Sequence, residues 1–286
     1  MEGFAAVAEN LAGLTADETN LAECRFAHLR EAAWLLCHES SLESASADID
    51  DFRAEYVRAC RTLGELCPAD RRTLCAHVAS FMTKDMPREL LLERFFSPDR
   101  PSKTAVICYL RNPIADLAYT EFARRTDAGV LYAESFNAVC ENLSGGVCDY
   151  AILPIVSGSD GRLVRFENMI SSYGLVISAL ADVSPDPEQA PDTFALLSRG
   201  IELPRRMNDD ERLCYSFTIP ADSDVSGLLS AASENGLGVI SLATSSTPSR
   251  KSFGITLDIT SGRLDAFLAY LVLETPGFVN TGLFLR

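Results

Sequence analysis

From Glu134 to Gly161 the chain reads ESFNAVCENLSGGVCDYAILPIVSGSDG, and that order of residue types leaves few folds open. Ser135 to Leu143 has the make-up of a helix, Gly145 and Gly146 turn the chain, and Tyr150 to Ile155 is a short apolar strand. The strand runs straight into Ser157-Gly158-Ser159-Asp160-Gly161, a loop of small residues. Helix, turn, strand and small-residue loop belong together in an α/β sheet. Ligands bind such sheets at strand ends, because backbone amides there can face a ligand without side chains in the way.

The hydrophobic period divides the rest of the chain into three regions. Residues 1 to 98 carry helical spacing: Ala22, Phe26, Leu29, Ala33 and Leu36 form one apolar stripe, and Phe52, Tyr56, Val57, Cys60 and Leu63 another. Pro68 opens a further helix through Met82, with Asp70 in its first turn. These residues predict a helical bundle, closed by a linker at Pro98 to Ser102. From residue 104 to about 200 the period alternates between strand and helix. Strands are expected over Ala105 to Leu110, Gly129 to Ala133, Tyr150 to Ile155, Leu175 to Leu180 and Phe194 to Ser198. Helices fall over Pro113 to Arg125, Ser135 to Leu143 and around Glu167 to Ser171, and Asp182 to Asp192 reads as a Pro- and Asp-rich loop. Residues 210 to 286 then follow the order βαββαβ. Their strands lie over Cys214 to Pro220, Gly238 to Ser245, Ser252 to Ile259 and Gly277 to Phe284, with helices over Val225 to Asn235 and Arg263 to Glu274. That is the ferredoxin-like plan. The expected fold is therefore multidomain, α+β and α/β, with boundaries at 1–98, 104–200 and 210–286.

Composition narrows the partners. A net charge of −15 argues against phosphate-backbone binding, which needs clustered Lys and Arg, so no nucleic acid is expected. No apolar run approaches the ~20 residues of a membrane span, and Met1-Glu2-Gly3-Phe4 has no basic secretory n-region, so no membrane or export is expected. Nine cysteines without a signal point to free thiols in a reducing cytoplasm.

The opening stretch resembles the prephenate dehydratase family, in which a segment of the form AV…G.aDYavlPIENS..G lines the substrate cleft. Ala138-Val139, Cys148-Asp149-Tyr150-Ala151, Leu153-Pro154-Ile155 and Gly161 fall in its register. Val156-Ser157-Gly158 replaces the polar triplet after Pro-Ile, and Arg111-Asn112-Pro113 replaces the family's Gly-Pro-x-Gly loop. The family's Thr-Arg-Phe aligns with Asp192-Thr193-Phe194, which removes a bidentate Arg clamp for a carboxylate. The second catalytic lobe, which the family inserts before that motif, is replaced by the short Asp182 to Asp192 loop. What the resemblance implies is a single α/β lobe of periplasmic-binding-protein type, with the scaffold kept and the chemistry lost.

The resemblance extends to residues 210–286, which look like the ACT regulatory domain that follows the catalytic module in this family. Asp224-Val225-Ser226-Gly227-Leu228-Leu229 stands at the family's GAL turn. Ile240-Ser241-Leu242 and Ser245-Ser246-Thr247-Pro248 stand at its INLT.IESRP segment, with Ser245 and Thr247 in place of the Glu and Arg. In the family these segments meet across a dimer interface and hold phenylalanine. Residues 1–98 occupy the place of a chorismate mutase domain found in some relatives; Arg53, Arg61, Arg71 and Arg72 are available, without a motif fixing them at a site.

Other constellations carry less. Cys24 with His28, Cys37 with His38, and Cys75 with His77 lack zinc spacing, so no metal and no cofactor are expected; Cys24 and Cys75 read as packed small hydrophobes. Cys108, Cys140 and Cys148 have no histidine after His77 to act as a base. Asp149, Asp160, Glu167 and Asp192 are the carboxylates that could gather at the strand ends. Pro204 to Arg212, of mixed charge, reads as a solvated linker.

The expectation is a cytoplasmic, catalytically degenerate relative that binds phenylalanine or a related small molecule, as a homodimer. Its ligand residues would be Ser226, Gly227, Leu228, Ser241, Ser245 and Ser246. The alternatives are a divergent prephenate dehydratase that uses Ser157, Ser159 and Thr193, and a structural or interaction module whose ACT-like pocket is filled by its own side chains.

Overall fold

The structure is a computed structural model, and it describes residues 2–12, 18–39, 49–64, 66–84, 87–96, 105–126, 128–203, 211–246 and 251–286. The chain begins with helices α1 (Glu2–Ala12), α2 (Glu18–Glu39), α3 (Ile49–Thr62), α4 (Pro68–Met82) and α5 (Arg88–Phe96). Strand β1 (Val106–Leu110), α6 (Pro113–Thr126), β2 (Gly129–Ala133), α7 (Phe136–Ser144) and β3 (Tyr150–Ser157) follow. Next come β4 (Gly161–Arg162), α8 (Val164–Ser172), β5 (Val176–Val183) and β6 (Asp192–Ser198). The last part is β7 (Leu213–Pro220), α9 (Val225–Glu234), β8 (Gly238–Ser246), β9 (Lys251–Asp258), α10 (Leu264–Glu274) and β10 (Val279–Leu285). The linker expected at Pro98 to Ser102 and most of the one at Pro204 to Arg212 lie outside the described residues.

The chain divides into two compact units, and the division does not follow the sequence. One unit holds Met1–Leu91, Asp222–Gly238 and Ser261–Phe278, and the other holds Leu92–Ala221, Val239–Thr260 and Val279–Arg286. In the first, α4 packs against both α2 and α10. The periodic positions supply its core: Leu29, Ala33 and Leu36 from α2, Phe52, Tyr56 and Cys60 from α3 with Leu63 just past its end, and Leu74, Cys75 and Val78 from α4 are buried. Two stripe residues depart from expectation. Phe26 is 52% exposed, with its ring edge-on to His77 at 4.4 Å, and Val57 is also exposed. Cys24 is exposed too, whereas Cys75 is fully buried. Helix α10 buries Leu264, Ala266, Phe267, Leu268, Tyr270, Leu271 and Leu273, more than one face can carry, as in a core helix.

The second unit is built on a ten-stranded sheet of order β2-β1-β3-β6-β5-β10-β7-β9-β8, with β4 paired off the path to β3. Strands β1, β2 and β3 are parallel, while β6 runs antiparallel to β3 and β5. A parallel pairing of β5 with β10 joins them to β7, β9 and β8 in one mixed sheet. Helix α6 lies on one face, where Ala115, Ala118 and Phe122 pack with Ile107, Tyr109 and Ile152. Helices α7 and α8 lie on the other, where Val139, Cys140, Leu143 and Ile170 pack with Cys108, Ala151 and Leu153.

Local sequence explains the helix starts. The Asn112 side chain accepts from the amides of Ile114 and Ala115 at 3.1 and 2.8 Å, with Pro113 in the first turn, where its missing N–H costs nothing. Ser135 caps α7 by accepting from Ala138 at 3.1 Å. At the other end of α7, Gly146 has φ +74°, a left-handed conformation that suits glycine.

Candidate functional site

The strand ends come first. Strands β1, β2 and β3 finish on one edge of the sheet, and the antiparallel β5 and β6 place Asp182, Asp192 and Thr193 on that same edge. The chain leaves β1 for the α6 face and leaves β3 for the α8 face, so a topological switch lies between the two strands. In an open α/β sheet that is where a ligand crevice is expected.

The groups at this edge bond to one another. The Ser157 and Ser159 hydroxyls are 3.1 Å apart in an exposed turn, and Ser157 Oγ accepts from the amides of Ser159 and Asp160, both at 3.3 Å. Serine commonly closes turns in this way. Thr193 is buried and donates its hydroxyl to Asp182 Oδ1 at 2.6 Å, so it does not join the two serines. The Gly158 amide donates to Asp192 Oδ1 at 2.8 Å. A Cβ at Gly158 would lie 2.1 Å from the Ala190 carbonyl oxygen, so the backbone before β6 lies directly against the loop.

The four carboxylates do not gather. Asp149 sits at the opposite end of β3 and accepts from the Val106 amide at 2.9 Å. Glu167 takes Arg162 at 2.6 Å, Asp192 takes the Gly158 amide, and Asp160 stays in the exposed turn. Behind the edge, Cys108, Cys140 and Cys148 pack in the core. The neighbouring Cys148 thiol draws the Cys108 thiol below its ordinary value, although burial works against this, and the Asn142 side-chain amide donates a weaker bond to its sulfur at 3.6 Å. Both sulfurs are sealed from solvent, which keeps a thiolate from acting as a nucleophile on any substrate.

The second candidate is the start of α9. The Asp224 side chain accepts from the Gly227 amide at 2.9 Å and caps the helix, while the Asp224 carbonyl takes the Leu228 amide at 3.1 Å. A Cβ on Gly227 would lie 2.3 Å from Asp224 Oδ2 and 2.8 Å from the Tyr270 hydroxyl, so any larger residue has to push both side chains aside. Burial pushes the Tyr270 hydroxyl up to about 12, and the Glu274 and Asp224 carboxylates add to the shift. Leu228 is fully buried, and Ser226 is exposed. A carboxylate and a neutral phenol meeting at one turn can accept an ammonium group. Ser241 is exposed on β8, in the second compact unit, and the side chains of Ser245 and Ser246 lie outside the described residues.

Asp182, Asp224 and Tyr270 were not singled out by the sequence. An aspartate just before the apolar run that opens α9 is a preferred N-cap, a signal that could have found Asp224. Tyr270 and Asp182 act across long separations and leave no local pattern. Of Arg53, Arg61, Arg71 and Arg72 in the helical region, the last two are committed: Arg71 pairs with Glu274 at 3.2 Å and Arg72 with Glu234 at 2.7 Å. The Cys and His pairs do not converge. His28 is 3.8 Å from Glu31, His38 stacks on Trp34, and His77 meets Phe26. Among the described residues no group of three or more His, Cys, Asp or Glu could hold a metal ion, and no helix is long and apolar enough to cross a membrane.

No family model and no curated protein matches this sequence. Among solved structures, a prephenate dehydratase from Arthrobacter aurescens in complex with L-Phe is similar, with TM-score 0.50 and 16% identity over 63% of this chain and 90% of that one. A prephenate dehydratase from Streptococcus mutans gives TM-score 0.49 and 15% identity over 64% of this chain and 98% of that one. The likeness is one of fold: a mixed α/β fold of the prephenate dehydratase kind.

Proposed function

We propose that this chain is a catalytically degenerate prephenate dehydratase relative that binds an aromatic amino acid, with phenylalanine as the first ligand to test. The observation that supports lost catalysis is the packing of Gly158 against Ala190. The backbone of the β5–β6 connection fills the space beside the strand-end loop, and Asp192 and Asp182 already take up Gly158 and Thr193. The binding half rests on the turn at Asp224. An ammonium group would be drawn to the Asp224 carboxylate and the Tyr270 hydroxyl, and the ligand carboxylate would compete with Asp224 for the Gly227 amide. The choice of amino acid follows the similar dehydratase that was solved with L-Phe. The ACT-like character of residues 210–286 and a homodimer paired along β8 belong to the same reading.

One observation favours a rival. The Gly227 amide already has an acceptor and Leu228 is fully buried, as a turn filled by its own side chains would be. A thermal-shift titration with phenylalanine, tyrosine, tryptophan, prephenate and chorismate separates these readings. A ligand at 100 times its Kd adds about 2.7 kcal/mol to stability. A shift with an amino acid alone supports the binder, one with prephenate or chorismate turns the reading towards an enzyme, and no shift leaves the self-filled turn.

A further inference from the structure

Helices α9 and α10 both end on a glutamate, Glu234 and Glu274, and neither has a basic residue in its last turn. A carboxylate at a helix C-terminus meets the negative end of the macrodipole, which is an unfavourable position. The compensating charge comes from far away in sequence. Adjacent arginines of α4 supply it: Arg71 reaches Glu274 at 3.2 Å and Arg72 reaches Glu234 at 2.7 Å. Tyr56 of α3 adds a hydrogen bond to Glu274. Arg72 is 14% exposed, so its guanidinium is largely withdrawn from water, where an ion pair is screened less.

We propose that Arg71 and Arg72 are positioning residues, a charge clasp by which the N-terminal helices hold the C-terminal ends of α9 and α10 and thereby order the turn at Gly227. The link to α9 is direct. Tyr270, one turn before Glu274, carries its hydroxyl to Gly227, and the Arg263 amide donates to the Asn235 carbonyl just past Glu234 at 2.8 Å. The pair α9–α10 is thus tied at both ends, and the clasp fixes it to α4. The helical region then serves the turn without touching a ligand. Only this last step rests on the ligand reading above.

The test is hydrogen exchange on the full chain. In Arg72→Gln at low salt, the last-turn amides of α9 should exchange about two- to fivefold faster than in wild type, as for a lost partly exposed ion pair. Raising the salt should shrink that difference. Arg71→Gln should do the same to the end of α10. The charge-swapped double variant, Arg72→Glu with Glu234→Arg, should be better protected than Glu234→Arg alone, in which the new arginine meets the helix dipole but faces Arg72, and a purely packing role for Arg72 would not predict that. Unchanged exchange in Arg72→Gln, or a swap no better protected than Glu234→Arg alone, overturns the clasp. If exchange behaves as expected, the phenylalanine thermal shift of Arg72→Gln should be smaller than that of wild type, and an equal shift overturns the link to the turn. If phenylalanine never shifts the wild type, the ligand reading fails while the exchange result still decides the clasp.

Discussion

Thr193 stands opposite Asp182 in the β5–β6 ladder and donates its hydroxyl to the carboxylate at 2.6 Å. The short Thr193 side chain turns to the neighbouring strand, and its hydroxyl is spent on the sheet. The two residues therefore make a structural prediction, not a catalytic one. Thr193→Val should lower stability by about 1 kcal/mol, the usual net worth of one hydrogen bond, and leave the thermal shift by amino acids unchanged. Denaturant titration of both proteins, with and without phenylalanine, measures this; a selective loss of ligand response would place Thr193 in a site after all.

Gly158 offers a second, steeper test. A methyl group there would lie 2.1 Å from the Ala190 oxygen and 2.8 Å from its carbonyl carbon, and both are backbone atoms that cannot swing aside. Gly158→Ala should cost about 1–3 kcal/mol, as overpacking does. Ser159→Ala, one residue on in the exposed turn, should stay within about 0.5 kcal/mol. Equal effects at the two positions would mean that the β5–β6 connection does not press on the loop.

At the other candidate, Gly227→Ala has to displace the Asp224 carboxylate, 2.3 Å from the new methyl, and the Tyr270 hydroxyl at 2.8 Å. Asp224→Ala removes a helix cap and should cost about 1 kcal/mol. In the double variant the methyl meets only Tyr270, so the two changes should be less than additive. If they add fully, the cap and the glycine do not share one space.

His77 supplies a pH dependence. Burial lowers its pKa below the usual 6.5, and the Arg30 and Arg263 charges act in the same direction. The unfolded chain therefore binds the proton more readily than the folded chain. Its contribution to stability is complete above about pH 6.5 and is lost as pH falls below that value. His77 Nε2 is buried with no hydrogen-bond partner among the described residues, so a phenyl ring in its place loses little. Relative to wild type, His77→Phe should gain stability at pH 5.5 over pH 7.5. Parallel stability curves for the two proteins would show that His77 does not titrate in this window.

Local signals carried the sequence reading a long way. α4 spans Pro68–Met82 and β2 spans Gly129–Ala133, each as the pattern predicts, because proline placement and apolar runs act within a few residues. β3 runs on to Ser157, past the expected Ile155, because β4 and β6 pair with its end. Pairing of this kind is invisible in a local pattern. The parallel β5–β10 junction, which makes one sheet of strands from two sequence regions, is equally non-local. So is Glu274, which Tyr56 and Arg71 reach across more than 200 residues. At the candidate sites the sequence found the backbone landmarks, Gly158 and Gly227, but not the side chains that occupy them. Asp182 and Tyr270 reach their partners through tertiary packing alone.

The edge strand β8 carries the last prediction. It ends the sheet, and its residues Gly238 to Ser246 include no charge and no proline in a chain of net charge −15. Val239 and Leu242 are 47% and 48% exposed. Natural edges are usually guarded by charges, proline or bulges, because their free backbone groups invite another strand. A second copy meeting β8 about a two-fold axis would close the assembly, whereas pairing β8 with the far edge β2 would propagate without end. The wild type should therefore sediment as a dimer at micromolar concentration. Leu242→Lys places one ammonium group in each copy at the joint, two like charges brought together by the two-fold, and should give a folded monomer. A wild type that is monomeric across that range removes the dimer from the proposed function. A Leu242→Lys protein that remains dimeric moves the interface away from β8.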